Sequence, residues 1–168
     1  MVTAILYTSN SGYTKQYAEL LAQKTGLPAY SVKGAIPPSL AGADVIYMGW
    51  LMAGNVQGYR KVCAKYSVKA LCAVGMAPKE QDQTAEIKKR LNLADTPLFY
   101  LQGGFDMTRL HGIYRFMMGV MVKKIKGDVE KLAQRTPDQE AMYQMATVGL
   151  NCVSEENLSD VLAWYGVQ

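Results

Sequence analysis

Apolar, strand-like segments alternate with stretches of helical periodicity along this chain, and that alternation narrows the available folds more than any other feature. Residues 2–7, VTAILY, form an apolar, β-prone run with the content of a buried strand. At Thr14 the period changes: Thr14, Tyr17, Ala18 and Leu21 fall on one helical face, with Leu20 beside them. Gly26 is a natural stop, and Pro28 blocks continuation. Residues 29–32 read as a short second strand, and Pro37 and Pro38 mark a loop. Residues 44–50 read as a third strand. A Gly-bearing loop follows, then a helix with Val56, Tyr59, Cys63 and Tyr66 along one side. Residues 68–74 form a fourth strand, ended by Gly75 and Pro78. Residues 80–92 are polar and helix-prone, with Ile87 and Leu91 as inward candidates. Residues 97–102 give a fifth strand, ended by Gly103 and Gly104.

The C-terminal third is more helical. Residues 110–125 are apolar on several faces. Thr136-Pro137-Asp138-Gln139 has the pattern of a capping box with proline at the first helical position, and predicts a helix ending near Gly149. Ser154 is placed to cap the last helix, with Glu155 and Glu156 favoured in its first turn. Leu158, Val161, Leu162 and Tyr165 form its buried stripe. Five strands alternating with helices imply an α/β fold, a doubly wound five-stranded parallel sheet with helices on both faces. No internal repeat, low-complexity tract or linker interrupts the pattern. The expectation is a single domain over residues 1–168, with an extra helical segment around residues 107–149.

Composition supports a folded core: hydrophobic residues make up 49% of the chain and charged residues 19%. No apolar run is long enough to span a bilayer, and the first residues read as a strand rather than a secretory signal. Cys63, Cys72 and Cys152 are odd in number and widely spaced, which points to reduced thiols, no metal site and a cytoplasmic setting. A single histidine, His111, leaves little room for a zinc site or a histidine-based triad. The net charge of +4 favours anionic partners or an anionic membrane surface without specifying either, and nothing in the pattern calls for nucleic acid.

In a sheet of this kind ligands sit beyond the carboxyl ends of the strands. Between the first strand and the first helix lie Thr8, Ser9, Asn10, Ser11, Gly12, Tyr13 and Thr14. Four of these carry hydroxyls on short stems. Gly12 lets the backbone turn, and the loop opens a helix whose first amides are unpaired and partly positive. Hydroxyls and free amides together can surround a phosphate. The loop has neither the lysine of a triphosphate-binding loop nor the glycine triad of a dinucleotide fingerprint, so a single terminal phosphate fits best. The competing reading is a plain polar turn with an ordinary helix cap.

Residues 5–21, ILYTSNSGYTKQYAELL, resemble the flavodoxin phosphate-loop signature. The matching positions are two aliphatics, Tyr7, Ser9, Gly12, Thr14, Ala18 and Leu21. The resemblance implies a flavodoxin-like sheet and FMN as cofactor, with Ser9, Asn10, Ser11, Gly12, Tyr13 and Thr14 at its phosphate. Position 13 is often asparagine in that family and is tyrosine here. The resemblance also places two loops beside the flavin ring. One contains Trp50, Leu51, Met52, Ala53, Gly54 and Asn55, with Trp50 or Met52 as face-covering groups and Gly54 in the peptide that meets flavin N5. The other contains Gly75, Met76, Ala77, Pro78 and Lys79, and lacks the tyrosine that many electron-carrier flavodoxins stack on the ring.

The segment PLFYLQGGFDMTRLHGIYRFMMGVMVKKIKG, residues 97–127, is loosely similar to the corresponding part of flavodoxin-type protoporphyrinogen dehydrogenases. The parts that match are Gly103, Gly104, Phe105, Arg109, residues 114–118, Lys123 and Lys124. Three functions follow as expectations. The first is electron transfer through bound FMN, with a redox protein or a small acceptor such as a quinone as partner. The second is a flavin-dependent dehydrogenase of a hydrophobic ring substrate such as protoporphyrinogen. The third is a flavin-free scaffold that binds a partner. The Met-rich segment has two readings: a core helix packed on the sheet, or a helix with an exposed face and cations for peripheral membrane contact over residues 109–126.

Overall fold

The computed structural model describes residues 1–78, 83–93, 95–132 and 134–167, apart from the side chains of residues 138 and 142. It is an α/β chain that divides into two compact units, one formed by residues 1–103 and 153–168, the other by residues 104–152.

The first unit is built on a mostly parallel sheet. Strands β1 (Ala4–Thr8), β2 (Ala29–Ser31), β3 (Asp44–Met52), β5 (Ser67–Gly75) and β6 (Leu98–Gln102) lie in the order β2-β1-β3-β5-β6, all pairs parallel. A sixth strand, β4 (Asn55–Val56), folds back antiparallel on the end of β3. The helices of this unit are α1 (Tyr13–Thr25), α2 (Tyr59–Cys63), α3 (Thr84–Leu91) and α6 (Ser159–Gly166).

Side chains alternate across the sheet and so make two cores. On one side Ile5, Ile46, Met48, Cys72 and Leu101 meet Tyr17, Ala18 and Leu21 of α1 and Leu158 and Val161 of the C-terminal segment. On the other, Leu6, Val45, Tyr47, Leu71, Ala73 and Tyr100 meet Tyr59 and Val62 of α2 and Ile87 of α3. The central strands are thus covered on both faces, which is why they read as continuous apolar runs. Each fully buried Leu, Ile or Val contributes roughly 1.5–3 kcal/mol. Cys72, wholly buried, is held as the thiol by its apolar surroundings.

Several local expectations change. The third strand runs past Trp50 to Met52, because its end pairs with β4. Val56 therefore lies in a strand, and α2 is a five-residue helix that buries Tyr59 and Val62 and leaves Cys63 exposed. The helix expected over residues 80–92 spans Thr84–Leu91, and residues 80–82 lie outside the described residues. Ser154 does not cap α6, whose cap is Leu158; its hydroxyl accepts from the Asn157 amide (3.4 Å) in the short 3-10 turn Glu156–Leu158 that precedes that helix.

The second unit pairs β7 (Gly104–Phe105) antiparallel with β8 (Leu150–Asn151) and carries α4 (Gly112–Glu130) and α5 (Pro137–Thr147). Its small core is Phe105, Leu110, Val122 and Ala146, with Met107, Met118, Ile125 and Met145 against it. The capping box at the start of α5 is formed: the Gln139 amide donates to Thr136 Oγ1 (3.3 Å), and the Thr136 amide donates to Gln139 Oε1 (2.9 Å). Met107 and Met118 join the core of this unit, whereas Phe116, Met117, Val120 and Met121 are exposed.

Candidate functional site

Parallel register brings the carboxyl ends of the strands to one end of the sheet. Thr8 sits opposite Gly49, Trp50 opposite Val74, and Gly75 opposite Gln102. The chain leaves β1 to reach β2 on one side, then crosses to β3 on the other. Between β1 and β3 the winding reverses, the position at which open α/β sheets form a ligand crevice.

The β1–α1 loop occupies this position. Ser9, Asn10, Ser11 and Gly12 are half-buried, and Tyr13 and Thr14 are buried. Ser9 Oγ accepts from the Gly12 amide (3.2 Å), folding the loop back on itself. Gly12 caps α1 with φ of 97°, a left-handed value that glycine adopts without strain. The first helical hydrogen bond runs from the Gln16 amide to the Gly12 carbonyl (3.0 Å). The amides before it precede the ladder, and the glycine cap offers them no side-chain oxygen. No acidic residue stands in the first turn. Thr14, 1% exposed, is the buried polar residue among the described ones, and it lies in that turn.

The β3–α2 loop joins the first directly. Tyr47 projects from β3, and its hydroxyl lies 2.7 Å from Thr8 Oγ1 and 2.5 Å from the Gln57 carbonyl. The carbonyl only accepts, so the phenol donates there and accepts from the Thr8 hydroxyl. Burial pushes the Tyr47 phenol up to about 12, keeping it neutral as this role requires. Gly58, with φ of 87°, passes so close that a Cβ would lie 2.2 Å from Tyr47 Oη and 2.7 Å from Thr8 Oγ1. Gly49 is similarly confined, with 2.5 Å from its would-be Cβ to Val56 Cγ1.

Ala53 and Gly54 form the two-residue turn between β3 and β4, with φ of 48° and 73°. Positive φ at both positions matches the right-handed twist of the paired strands. The Ala53 carbonyl accepts from Arg90 Nη1 (2.8 Å) and Asn55 Nδ2 (3.3 Å). Arg90 is held in turn by Glu86 at 2.7 Å. Trp50, Met52 and Gly54 are half-buried, and Ala53 and Asn55 are exposed.

The third loop follows β5. Gly75 is buried, Met76 exposed and Ala77 half-buried; Lys79 lies outside the described residues. Tyr100 donates to the Ala77 carbonyl (2.8 Å), and the Gly103 amide donates to the Gly75 carbonyl (2.7 Å). Gly103 is also the meeting point with α1: its would-be Cβ lies 2.8 Å from Val74 Cγ1 and 3.4 Å from Tyr13 Cβ. Tyr17 secures the same end of the sheet, donating to the Gln102 carbonyl (2.5 Å) and accepting from Asn157 Nδ2 (2.8 Å).

All three loops singled out in the sequence thus share one end of the sheet. Four residues that shape it were not foreseen: Tyr47, Gly58, Arg90 and Tyr100. Gly58-Tyr59 did carry a signal, because it repeats Gly12-Tyr13, and both glycines cap a helix with nearly the same left-handed angles. Tyr47 and Tyr100 sit inside apolar strands, where a tyrosine is indistinguishable from any other core aromatic until its hydroxyl partner is seen. Among the described residues no cluster of His, Cys, Asp or Glu is arranged to hold a metal ion.

These features define the class: an α/β chain with a mostly parallel central sheet flanked by helices, whose candidate site is a polar, glycine-capped loop at the sheet's carboxyl end. Compared with protein-family models, curated proteins and solved structures, the chain matches none.

Proposed function

We propose that the protein is an FMN-binding, flavodoxin-like redox protein. Counting the parallel strands alone, their order is 2-1-3-4-5, the flavodoxin-like winding, which binds its ligand between the first and third strands. The observation that carries the reading is the glycine-capped start of α1, flanked by Ser9, Ser11 and Thr14 and without acidic groups in its first turn. Amides ahead of a helical ladder attract a phosphate dianion, and neighbouring hydroxyls complete its hydrogen bonds.

The residues present fit FMN at its phosphate. Ser9, Asn10, Ser11, Gly12, Tyr13 and Thr14 would hold that group, position 13 through its backbone. Trp50, Met52, Ala53, Gly54 and Asn55, and Gly75, Met76 and Ala77, would border the ring, and the half-buried Trp50 and Met52 offer it aromatic and sulfur surface. The bound flavin supplies reversible electron transfer; the protein positions it and limits water. The Ala53 carbonyl is engaged by Arg90 and Asn55, so a hydrogen bond from the 53–54 peptide to the flavin would compete with those contacts.

The test is a visible absorption titration of the purified protein with FMN. A bound-flavin spectrum is expected. Ser9→Ala with Thr14→Ala should weaken binding by about 1.5–3 kcal/mol for each hydrogen bond lost to the phosphate. A colourless protein that takes up no added FMN would sink the reading in favour of a flavin-free scaffold. Oxidation of protoporphyrinogen by the loaded protein with a quinone acceptor would extend it to a dehydrogenase.

A further inference from the structure

The positive charge of the chain is concentrated in one segment. Between Asp106 and Asp128 there is no acidic residue and five cations stand there, Arg109, Arg115, Lys123, Lys124 and Lys126, more than the net charge of +4 of the whole chain. Most of this segment is α4. One side of α4 is committed to the core of its own unit through Met118, Val122 and Ile125, with Val129 also buried. The opposite side is apolar as well. Ile113, Phe116, Met117, Val120 and Met121 recur at i, i+3, i+4, i+7 and i+8 and so share one face. They are 63%, 70%, 49%, 57% and 39% exposed. Lys124 continues that face a turn further on, with Lys123 beside it.

An exposed apolar face of this extent marks an interaction surface. A second copy is a poor occupant, since a two-fold contact along α4 would bring like-charged segments together. The face also lacks acidic and amide side chains that would fix the register of a protein partner. An anionic lipid surface requires only what is present, an apolar strip and adjoining cations. We propose that α4 lies in the plane of a membrane containing anionic lipids, with Ile113, Phe116, Met117, Val120 and Met121 at the acyl boundary and Lys123 and Lys124 on lipid phosphates. The contact is peripheral, because among the described residues no helix is long and apolar enough to cross a membrane. It does not depend on FMN binding.

The experiment is co-sedimentation of the full chain with vesicles of phosphatidylcholine alone and mixed with phosphatidylglycerol, at low and high salt. Binding is expected to the mixed vesicles and should weaken with salt. Lys123→Gln with Lys124→Gln should lower the affinity about thirtyfold. Phe116→Ser with Val120→Ser should abolish binding while the far-ultraviolet circular dichroism stays unchanged, since both side chains point to solvent. In Phe116→Trp, the added indole emission should shift to the blue on mixing with the anionic vesicles. Equal binding to both vesicle types, binding to neither, or wild-type binding by the double variants would overturn the proposal. So would a dimer that Phe116→Ser with Val120→Ser dissociates, which would give the face to a second copy.

Discussion

A single absent methyl group at position 58 lets the loops after β1 and β3 meet. Gly58 combines a left-handed φ of 87° with a would-be Cβ 2.2 Å from Tyr47 Oη. Gly26 has a similar φ of 74° but open space around it. The two positions separate backbone strain from close approach. Gly26→Ala should cost about 1–2 kcal/mol, the left-handed penalty alone. Gly58→Ala should cost about 2–5 kcal/mol, because crowding of roughly 1–3 kcal/mol adds to that penalty. Urea unfolding of the two variants measures the difference, and equal costs would show that the contact at position 58 relaxes freely. Gly58→Ala should also lower FMN affinity at the proposed site, because the added methyl displaces Thr8 and Tyr47, whereas Gly26→Ala should not. The importance of Gly12 was legible in the sequence, since it sits in a hydroxyl-rich loop between a strand and a helix. For Gly58 the sequence carried only the repeat of the Gly-Tyr pair at 12–13; what confines it, a tyrosine hydroxyl 11 positions earlier in the chain, is reached only through the β3–α2 turn.

The hairpin at the end of β3 is the element that departs most from expectation. Its strand was expected to stop at Trp50; two more residues pair with Asn55 and Val56, and the loop becomes a turn. Ala53 is an unusual choice there, since its φ of 48° is one that Asn tolerates better than Ala. Ala53→Asn should therefore raise stability by about 0.5–1 kcal/mol, seen as a higher urea midpoint. A midpoint that stays put or falls would mean that the turn is set by the Arg90 contact rather than by its own backbone preference. Local sequence carried no hairpin signal here, as Ala-Gly is not a turn-forming pair. A contact from outside the hairpin also meets it: Arg90 of α3 donates to the Ala53 carbonyl.

At the scale of the molecule, three tyrosines of one core titrate abnormally. Burial raises the phenols of Tyr47, Tyr59 and Tyr100 from the ordinary 10 to about 12. In the unfolded chain they ionise near 10, so the stability they contribute is complete below pH 10. It is lost as the pH rises through about 12, because only the unfolded state releases these protons readily. Urea midpoints should fall steeply from pH 10 to 12, and Tyr100→Phe should flatten the fall. A midpoint that is level across that interval would show these phenols to be solvated.

By itself the sequence determined the alternation of strands and helices, the two-sided burial of the central strands, the helical face of Tyr17, Ala18 and Leu21, and the capped start of α5. Each of these depends on residues close together in the chain, where periodicity, turn chemistry and capping act directly. It also marked the three loops that reach one end of the sheet. Only the tertiary structure decided how those loops are held: Tyr47 joins Thr8 to Gln57, Tyr100 holds Ala77, Gly103 abuts Gly75 and Tyr13, and Arg90 steadies Ala53. It alone also divided the Met-rich segment into a buried and an exposed face. The physical reason is the same throughout: a polar tip on an apolar body, or an apolar residue on an all-apolar helix, takes its role from partners distant in sequence, and those partners are fixed only when the sheet is assembled.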